Sequence, residues 1–522
     1  MQGLDASKKA EILARFKHSV GGHPPVSAAA VPASESVLDF TRFPKYRQIK
    51  IQKAVAEGSG IPNPFFRVHD GLAKARCQID GRSLLNFSTY DYLGYNGDPR
   101  VNAAVVKAME CYGTSPGASR LVAGELPLHR ELEEELAAHY GTEDALCFVS
   151  GHATNLNTII SLFCQGDIVF HDSLAHNSIV LGASESGAVR VSYPHNDMQA
   201  LRSLLKQHRS SCRRALIVTE GVFSMDGNIA ALPELVALKE EFSCFLMVDE
   251  AHALGVAGKT GRGSFEHYGL DPRKVDIWMG TLSKTLCACG GYIAGCRELI
   301  ELLKHTAPGF VYSVGLSPVL TAAALQALKL LHQEPFRVER LQHNCRFALE
   351  CAQALGLNTG RAQATAVLPI IAGSSIVAGY LAKFIYEHAV YALPIIYPVV
   401  EEGAARIRLF LSYSHTEGDI EEALKIIASD LKEAKRQASK LNAESAMEQV
   451  AQAAPEPQSV MPSGTSCAAD AADGTGGTGS NAAAFSTSFP AMAAGLSGRA
   501  ATASPPAEHG TKPQGESGCA RQ

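Results

Sequence analysis

The sequence predicts an α/β protein in which a large domain with a seven-stranded, mostly parallel sheet precedes a smaller α+β domain. Three observations support this fold class. Short apolar runs alternate with longer amphipathic stretches between residues 140 and 300, which is typical of β-α-β units. A long helical pattern follows after residue 307, and alternating apolar and polar residues follow that. At 522 residues, the chain is also longer than one hydrophobic core usually supports.

The candidate strands of the large sheet are apolar runs that span residues 145–150, 168–171, 188–193, 215–220, 244–248, 276–280 and 291–294. Helical periodicity separates them, for example over 198–207 and 232–241. Ligands of parallel sheets bind beyond the carboxyl ends of the strands. We therefore expect the functional site among the residues that directly follow these runs.

Five segments are predicted along the chain: an N-terminal extension and linker over 1–47, an arm with a hairpin over 48–93, the large domain over 94–306, the small domain over 307–443 and a disordered tail over 444–522. In the arm, candidate strands at 65–69, 77–79 and 84–87 surround a turn signal at Asp80 and Gly81. A terminal helix is expected over 419–435. The tail has almost no large aliphatic residues, so it cannot bury enough apolar surface to offset its ordering entropy.

Composition favours a cytoplasmic protein that acts on small molecules. Hydrophobic residues make up 46% of the chain, and its formal charge of −5 comes from interspersed residues of both signs, so no basic surface for nucleic acid is expected. No run reaches the roughly 20 apolar residues of a membrane span, and no secretory signal is recognised. The scattered cysteines lack zinc-site spacing, so they are expected as reduced thiols and no metal site is predicted. The basic residues between 8 and 17 leave organellar targeting open.

A lysine and an aspartate follow two successive predicted strands. Lys284 comes after the hydroxyls of Thr281 and Ser283 and before small residues, so it can lie against a planar cofactor. A desolvated lysine is nucleophilic and forms Schiff bases, although Lys284 taken alone is equally well a solvated loop residue. The presence of Asp249 favours the interpretation of Lys284 as a Schiff-base lysine. Pyridoxal phosphate needs a lysine at its aldehyde carbon and an acid at its ring nitrogen.

The residues from Asp249 to His252 also spell the Asp-Glu-Ala-His box of helicases. Such an enzyme needs a phosphate loop upstream of that box. The Gly-Lys-Thr at 258–260 lies downstream instead, and Ala253 stands where its first glycine should be. We therefore reject a nucleotide-driven helicase.

A candidate phosphate site lies after the first strand of the large sheet. Ser150, Gly151 and His152 open a helix there, and free backbone N–H groups at a helix N-terminus favour an anion. The motif is weak alone, because any turn from strand to helix can contain Ser-Gly. The hydroxyls of Thr281 and Ser283 strengthen it, since they follow another strand of the same sheet.

Four further residues are candidates for the same site. His176 could stack on a cofactor ring, although a lone histidine is more often a packed or surface residue. The loop after the fourth strand offers Glu220 and Ser224, and its alternative role is a simple turn at 226–227. Arg408 is a charge on an apolar strand that can bind a substrate carboxylate through two parallel hydrogen bonds; a structural ion pair is the alternative.

Together these residues resemble the α-oxoamine synthases, a family of fold-type-I pyridoxal-phosphate transferases that includes 8-amino-7-oxononanoate synthase and serine palmitoyltransferase. The resemblance also extends to the synthase domains of polyketide synthases. It covers about residues 86–431 and runs in order through the motifs at 91–94, 118–120, 150–151, 195–197, 219–227, 249–252, 281–284 and 408.

The resemblance implies roles for individual residues. Lys284 would be the Schiff-base lysine, Asp249 the partner of the pyridine nitrogen and His252 a hydrogen-bond donor to the ring hydroxyl, and with the stacking His176 these form the expected catalytic set. The implied cofactor-binding residues are Lys284, Gly151, His152, His176, Ser224, Asp249, His252, Thr281, Ser283 and Ser313. The last of these would contact the phosphate held by a neighbouring subunit, since the family forms homodimers.

The implied reaction is the decarboxylative condensation of an amino acid with an acyl thioester, and the implied substrate-binding residues are Arg408, Tyr90 and Ser119. Ser119 stands where glycine-restricted members carry threonine, which favours alanine or serine while keeping glycine open. Tyr90 stands where most users of free acyl-CoA carry asparagine, so coenzyme A and an acyl carrier protein are both candidate carriers. Two alternatives are an aminotransferase or lyase with the same lysine, and a non-catalytic partner subunit, which Lys284 disfavours.

Overall fold

The computed structural model describes residues 39–453, and it describes side chains over 39–441. Most of the predicted N-terminal extension, including the basic stretch at 8–17, lies outside the described residues. The same holds for residues 454–522 of the predicted tail.

A seven-stranded sheet forms the centre of the large domain, in the spatial order β3-β9-β8-β7-β6-β4-β5. Its strands are β3 (Asp144–Phe148), β4 (Ile168–Asp172), β5 (Val189–Tyr193), β6 (Ala215–Glu220), β7 (Phe245–Asp249), β8 (Ile277–Thr281) and β9 (Gly291–Gly295). β9 runs opposite to the other six strands of this sheet, which are parallel to one another. The predicted fold class is confirmed, and every predicted apolar run is a strand of this one sheet.

Helices cover both faces of the sheet. The α-helices are α1 (Pro44–Gly58), α2 (Pro99–Tyr112), α3 (Pro127–Tyr140), α4 (Gly151–Leu162), α5 (Asn177–Glu185), α6 (Met198–His208), α7 (Leu232–Phe242), α8 (Ser264–Tyr268), α9 (Arg297–Thr306), α10 (Pro308–Val311), α11 (Pro318–Gln333), α12 (Pro335–Ala354), α13 (Ser375–Glu387) and α14 (Glu417–Ala453). Short 3-10 helices span Phe40–Arg42, Arg209–Ser211 and Pro272–Lys274.

Alternate residues of the central strands enter two different cores. Leu246 and Val248 of β7 pack in the core that contains α3, α6 and α7. Met247, between them, packs in the core that contains α4, α5 and α9. Because both faces of these strands are buried, they appear in the sequence as continuous apolar runs rather than as alternating ones.

A hairpin in the arm forms a small sheet with a strand from the C-terminal part. Strands β1 (Arg76–Ile79) and β2 (Arg82–Asn86) pair antiparallel, and β11 (Val390–Tyr391) joins β2 in parallel. Asp80 and Gly81 form the turn with φ of 53° and 70°, as their turn signal predicts. The strand predicted at 65–69 does not form: a single bridge at His69 is present, and Phe66 has a φ of 61° that interrupts an extended run.

The C-terminal part contains a second three-stranded antiparallel sheet. β13 (Ala405–Phe410) lies between β10 (Val367–Gly373) and β12 (Leu393–Ile395). The predicted domain boundaries at 93, 306 and 443 stay predictions. The disordered tail predicted over 444–522 also stays a prediction, and α14 extends to Ala453. The last residues of this helix are rich in Ala, Glu, Met and Gln, which are good helix formers, so helix propensity persists where core-forming residues have already stopped.

Candidate active site

Two cavities meet at Lys284. The first, of about 200 Å³, lies at the carboxyl ends of β6, β7 and β8 and is lined by Ser150, Gly151, His152, Asn155, His176, Ser178, Glu220, Asp249, Ala251, His252, Met279, Thr281, Ser283, Lys284 and Cys289. We call it the inner cavity. The second, of about 420 Å³, shares Ser283 and Lys284 with it and also contains Tyr90; we call it the outer cavity. The site therefore lies where the sheet topology predicts.

Lys284 and Asp249 both line the inner cavity, as expected from their places after neighbouring strands. Burial lowers the pKa of Lys284 from 10.5 to about 8, although the negative charge of Asp249 opposes that shift. The ammonium nitrogen lies 5.7 Å from the centre of the Tyr90 ring. At this pKa an appreciable fraction of Lys284 carries a free amine near neutral pH, and that form is the nucleophile and the base.

Two donors hold the carboxylate of Asp249. Asn155 donates from Nδ2 to Oδ2 at 2.8 Å, and the backbone N–H of Ala251 donates to Oδ1 at 2.9 Å. Asn155 Nδ2 also lies 2.9 Å from Oγ of Ser178, while its Oδ1 is buried without a partner among the described residues. The sequence pattern alone did not indicate a role for Asn155. It lies four residues after Gly151 on α4 and so on the same helix face, which is the signal that could have found it.

A candidate anion site lies where α4 begins. Ser150 caps the helix by accepting a hydrogen bond from the backbone N–H of Ala153. A Cβ atom on Gly151 would lie 2.7 Å from Thr281 Oγ1, so only glycine fits against that hydroxyl. Thr281 Oγ1 donates to the carbonyl of Gly290 at 3.0 Å and lies 3.2 Å from the hydroxyl of Ser283. His152, Thr281 and Ser283 all line the cavity beside the helix N-terminus. This arrangement suits a phosphate.

His252 is buried beside Tyr92, with Nδ1 2.7 Å from the tyrosine hydroxyl. Burial, followed by the charge of Lys284, lowers its pKa well below 6.5, so the imidazole is neutral. When Tyr92 donates to Nδ1, the single ring proton stands on Nε2. His252 is then a hydrogen-bond donor, which is the role that the resemblance implies.

His176 precedes α5 and caps it, with Nδ1 2.7 Å from Ser178 Oγ. Desolvation lowers its pKa below 6.5, so its ring is mostly neutral near pH 7. His152 meets it edge to face with ring centres 6.2 Å apart. The two histidines therefore form one wall of the inner cavity, and His176 can present a neutral ring face there.

Ser224 and Arg408 lie beside the cavities without lining them. The Ser224 N–H donates to Glu220 Oε2 at 3.2 Å, and its carbonyl accepts from Arg408 Nη1 at 2.9 Å. Arg408 Nε is buried with no partner among the described residues, and no ion pair of Arg408 is found within residues 39–441. The neighbouring Arg406, in contrast, pairs with Asp226 at 2.7 Å. Arg408 thus has donor capacity left for a substrate carboxylate.

Two predicted residues are not brought to Lys284 within one chain. Ser119 lines neither cavity, and its carbonyl accepts the N–H groups of Val122, Ala123 and Gly124. Ser313 follows α10 and also lines neither cavity. The role expected for Ser313 is a contact with the phosphate held by a neighbouring subunit, which a single chain does not test. The roles of Ser119 and Ser313 therefore stay predictions.

The donor set fits pyridoxal phosphate. The inner cavity combines an amine of lowered pKa, a carboxylate held by two donors and a helix N-terminus suited to an anion, and it contains a buried amide oxygen without a partner among the described residues. Over residues 39–441 no cluster of three or more His, Cys, Asp or Glu side chains could hold a metal ion. Across the described part of the chain, no helix combines the length and apolarity that a membrane span requires.

The family model of class I and II aminotransferases matches residues 82–427. The chain is 42% identical over 355 residues to the 8-amino-7-oxononanoate synthase of Symbiobacterium thermophilum, which covers 68% of this chain and 90% of that protein. It belongs to the α-oxoamine synthases of this family. A second relative of this chain is 8-amino-7-oxononanoate synthase 1 of Bacillus subtilis. The two are 39% identical over 355 residues, which cover 68% of this chain and 90% of that protein.

Solved structures agree with this assignment. The serine palmitoyltransferase of Sphingomonas wittichii matches the synthase with a TM-score of 0.72 and 28% identity, over 76% of this chain and 99% of that one. A serine palmitoyltransferase from S. paucimobilis, solved with a PLP–myriocin aldimine, matches with a TM-score of 0.73 and 27% identity over 76% of this chain and 99% of that one. The 8-amino-7-oxononanoate synthase of Francisella tularensis matches with a TM-score of 0.59 and 28% identity, over 67% of this chain and 98% of that one.

Membership of this family makes the synthase a pyridoxal-phosphate-dependent acyltransferase. The reaction class of these enzymes is the decarboxylative condensation of an amino acid with an acyl thioester. The motifs at 249–252 and 281–284 therefore predicted the family correctly.

Proposed function

We propose that this synthase condenses alanine or serine with an acyl group carried by coenzyme A or an acyl carrier protein, releasing carbon dioxide and forming an α-amino ketone. Glycine is the less favoured third amino acid. The observation that carries the proposal is the shared cavity of Lys284 and Asp249, next to a second cavity that Lys284 also lines. The protein would work as a homodimer in the cytoplasm, and both properties stay predictions.

The cofactor would be held by three groups of residues. Lys284 would bind the aldehyde carbon, Asp249 would face the ring nitrogen, and the N-terminus of α4 with Thr281 and Ser283 would bind the phosphate. His176 would pack against the ring. When bound, pyridoxal phosphate supplies an electron sink that stabilises negative charge at the α-carbon of an amino acid.

The residues of the chain supply proton transfer and orientation. Lys284 Nζ, with a pKa of about 8, accepts the α-proton of the amino acid, because a base is most effective when its pKa lies near the working pH. With the Tyr92 hydroxyl donating to Nδ1, His252 would donate from Nε2. Arg408 would bind the amino-acid carboxylate through the guanidinium atoms that Ser224 leaves free.

The outer cavity is the natural place for the acyl group, because it meets the inner cavity at Lys284. Tyr90 lies in its wall, and its ring packs edge to face on Phe410 at 4.8 Å. The identity of this side chain would therefore influence which acyl thioesters reach the lysine.

The test uses purified full-length protein. It should be yellow, and Lys284→Ala should lose both the visible absorbance and all turnover. Alanine, serine and glycine are then paired with a series of acyl-CoA and acyl-carrier-protein thioesters, and free thiol and carbon dioxide are measured. Fast turnover with glycine and succinyl-CoA alone would overturn the preference for alanine or serine.

The same measurements separate the alternatives. An aminotransferase or lyase would convert the amino acid without releasing free thiol. A non-catalytic partner subunit would be purified colourless, with no cofactor bound. Either result would refute the proposed condensation.

A further inference from the structure

The proposed chemistry leaves one buried carboxyl of the inner cavity without a role. Glu220 ends β6 and Asp249 ends β7, and the two residues are direct partners in the parallel register of these strands. Their side chains therefore reach the same edge of the sheet. Glu220 is only 3% exposed and lines the inner cavity together with Lys284.

The two oxygens of Glu220 have different partners. Oε2 accepts the backbone N–H of Ser224 at 3.2 Å. Oε1 is buried and has no hydrogen-bond partner among the described residues. A buried polar atom without a partner costs free energy, so its presence beside a ligand cavity points to a partner that arrives with the ligand.

The surrounding charges decide which of the two carboxyls stays ionised. Asp249 already accepts hydrogen bonds on both oxygens, from Asn155 and from the N–H of Ala251. Two adjacent buried carboxyls do not readily ionise together, so the proton belongs to Glu220, which has the poorer set of donors. Lys284 and the backbone N–H of His176 also face Glu220, and Arg408 binds the carbonyl of Ser224.

We infer that Glu220 is a further residue of the active site, a neutral carboxylic acid that donates its proton from Oε1 to an oxygen atom of the bound cofactor or substrate. The proton is placed on Oε1 because Oε2 is already an acceptor for Ser224. The inference rests on the proposed function, since it requires a ligand in the inner cavity.

The protonation equilibrium agrees with this geometry. Burial and the charge of Asp249 raise the pKa of Glu220 from 4.5 to about 8, against the opposing effects of Lys284 and of the N–H groups of Ser224 and His176. The acid form is therefore the main one at neutral pH, and it is lost as the pH rises above 8.

The first experiment detects the proton directly. Infrared spectra of the holoenzyme are recorded for wild type and Glu220→Gln at pH 6.5 and above pH 9. We expect the wild-type minus Glu220→Gln difference spectrum to contain a protonated-carboxyl band at pH 6.5 that is lost above pH 9. Glu250, whose pKa burial raises to about 7, contributes to both spectra and cancels in the difference. A difference spectrum with an ionised carboxylate at pH 6.5 would overturn the inference.

The second experiment tests the donated hydrogen bond. The dissociation constants of pyridoxal phosphate and of the preferred amino acid are measured from visible absorbance. Gln keeps both a donor and an acceptor, so Glu220→Gln should stay within about threefold of wild type, whereas Glu220→Ala should weaken one of the two by about tenfold. Wild-type constants in Glu220→Ala would contradict the inference.

Controls separate this role from a structural one. Glu250 is a buried carboxyl that accepts from Ser264 and does not line the cavity, so Glu250→Gln should leave both dissociation constants unchanged. Thermal unfolding midpoints report any loss of stability. If Glu220→Ala does not fold, the infrared comparison of wild type with Glu220→Gln still shows whether Glu220 is protonated. A colourless wild type would instead mean that the proposed function itself has failed.

Discussion

Asn155 Nδ2 lies 2.8 Å from Asp249 Oδ2, so the helix that begins at the candidate phosphate site also holds the acid at the end of β7. The two residues are 94 positions apart in the sequence, and the contact is buried. The candidate phosphate site and Asp249, the proposed partner of the ring nitrogen, are therefore linked directly, through the first turns of α4 and the carboxyl edge of the sheet.

Asn155→Ala should weaken cofactor binding. Asp249 would lose one of its two donors, and a hydrogen bond to a charged group is typically worth about 1.5–3 kcal/mol, or at least tenfold in a dissociation constant. Absorbance titration of the apoprotein measures the effect. Asn157→Ala on the same helix is the matched control, because Asn157 bonds Gly309 and Ala153 and does not line the cavity. Equal cofactor affinity in both variants would contradict this role of Asn155.

Lys284→Met should stabilise the apoprotein below pH 8. The folded pKa of about 8 lies below the unfolded value of 10.5, so the unfolded state binds more protons between these limits. Wild-type stability should therefore rise with pH across this window. The variant lacks the buried ammonium and should be more stable at pH 7 by on the order of 3 kcal/mol, and this difference should vanish by pH 10.5.

Urea unfolding of both apoproteins at pH 7 and pH 10.5 measures that difference. Parallel stability curves for wild type and Lys284→Met would show that the lysine is not held in a strained, desolvated state.

Tyr92→Phe should disturb His252. The substitution removes the hydroxyl that lies 2.7 Å from Nδ1 and leaves a buried nitrogen unpaired, which costs about 1–3 kcal/mol of stability. We expect a lower thermal midpoint and an altered pH dependence of the cofactor absorbance. Tyr95→Phe is a matched control, because the Tyr95 hydroxyl is buried without a partner and its removal should be neutral or stabilising. If the two variants behave alike, the Tyr92–His252 contact has no role in the site.

Gly151→Ala should impair phosphate binding. The added methyl group would lie 2.7 Å from Thr281 Oγ1, so α4 or Thr281 must move. We expect the pyridoxal phosphate dissociation constant to rise by about tenfold or more, with a smaller effect on the binding of free pyridoxal. Gly58→Ala is the control, since no atom lies within 4 Å of its added Cβ. Unchanged phosphate selectivity in Gly151→Ala would remove this helix N-terminus from the binding site.

The arm shows where a local pattern misled. The apolar residues at 65–69 predicted a strand, but pairing requires a partner at the right register, and only His69 finds one. The composition after residue 444 predicted disorder, because core-forming residues are scarce there. Helix propensity is a separate local property, and it carries α14 to Ala453.

The sequence by itself determined the sheet, the family and the pairing of Lys284 with Asp249. Strands buried on both faces appear in the sequence as continuous apolar runs, and parallel topology brings their carboxyl ends to one edge of the sheet. Only the tertiary structure decided three contacts of the site. Asn155 donates a hydrogen bond to Asp249, the Tyr92 hydroxyl lies against Nδ1 of His252, and Glu220 lies beside Asp249 with one oxygen that has no partner among the described residues. Protonation and hydrogen bonding in a buried site depend on neighbours from distant parts of the chain, and no local pattern records which of them come into contact.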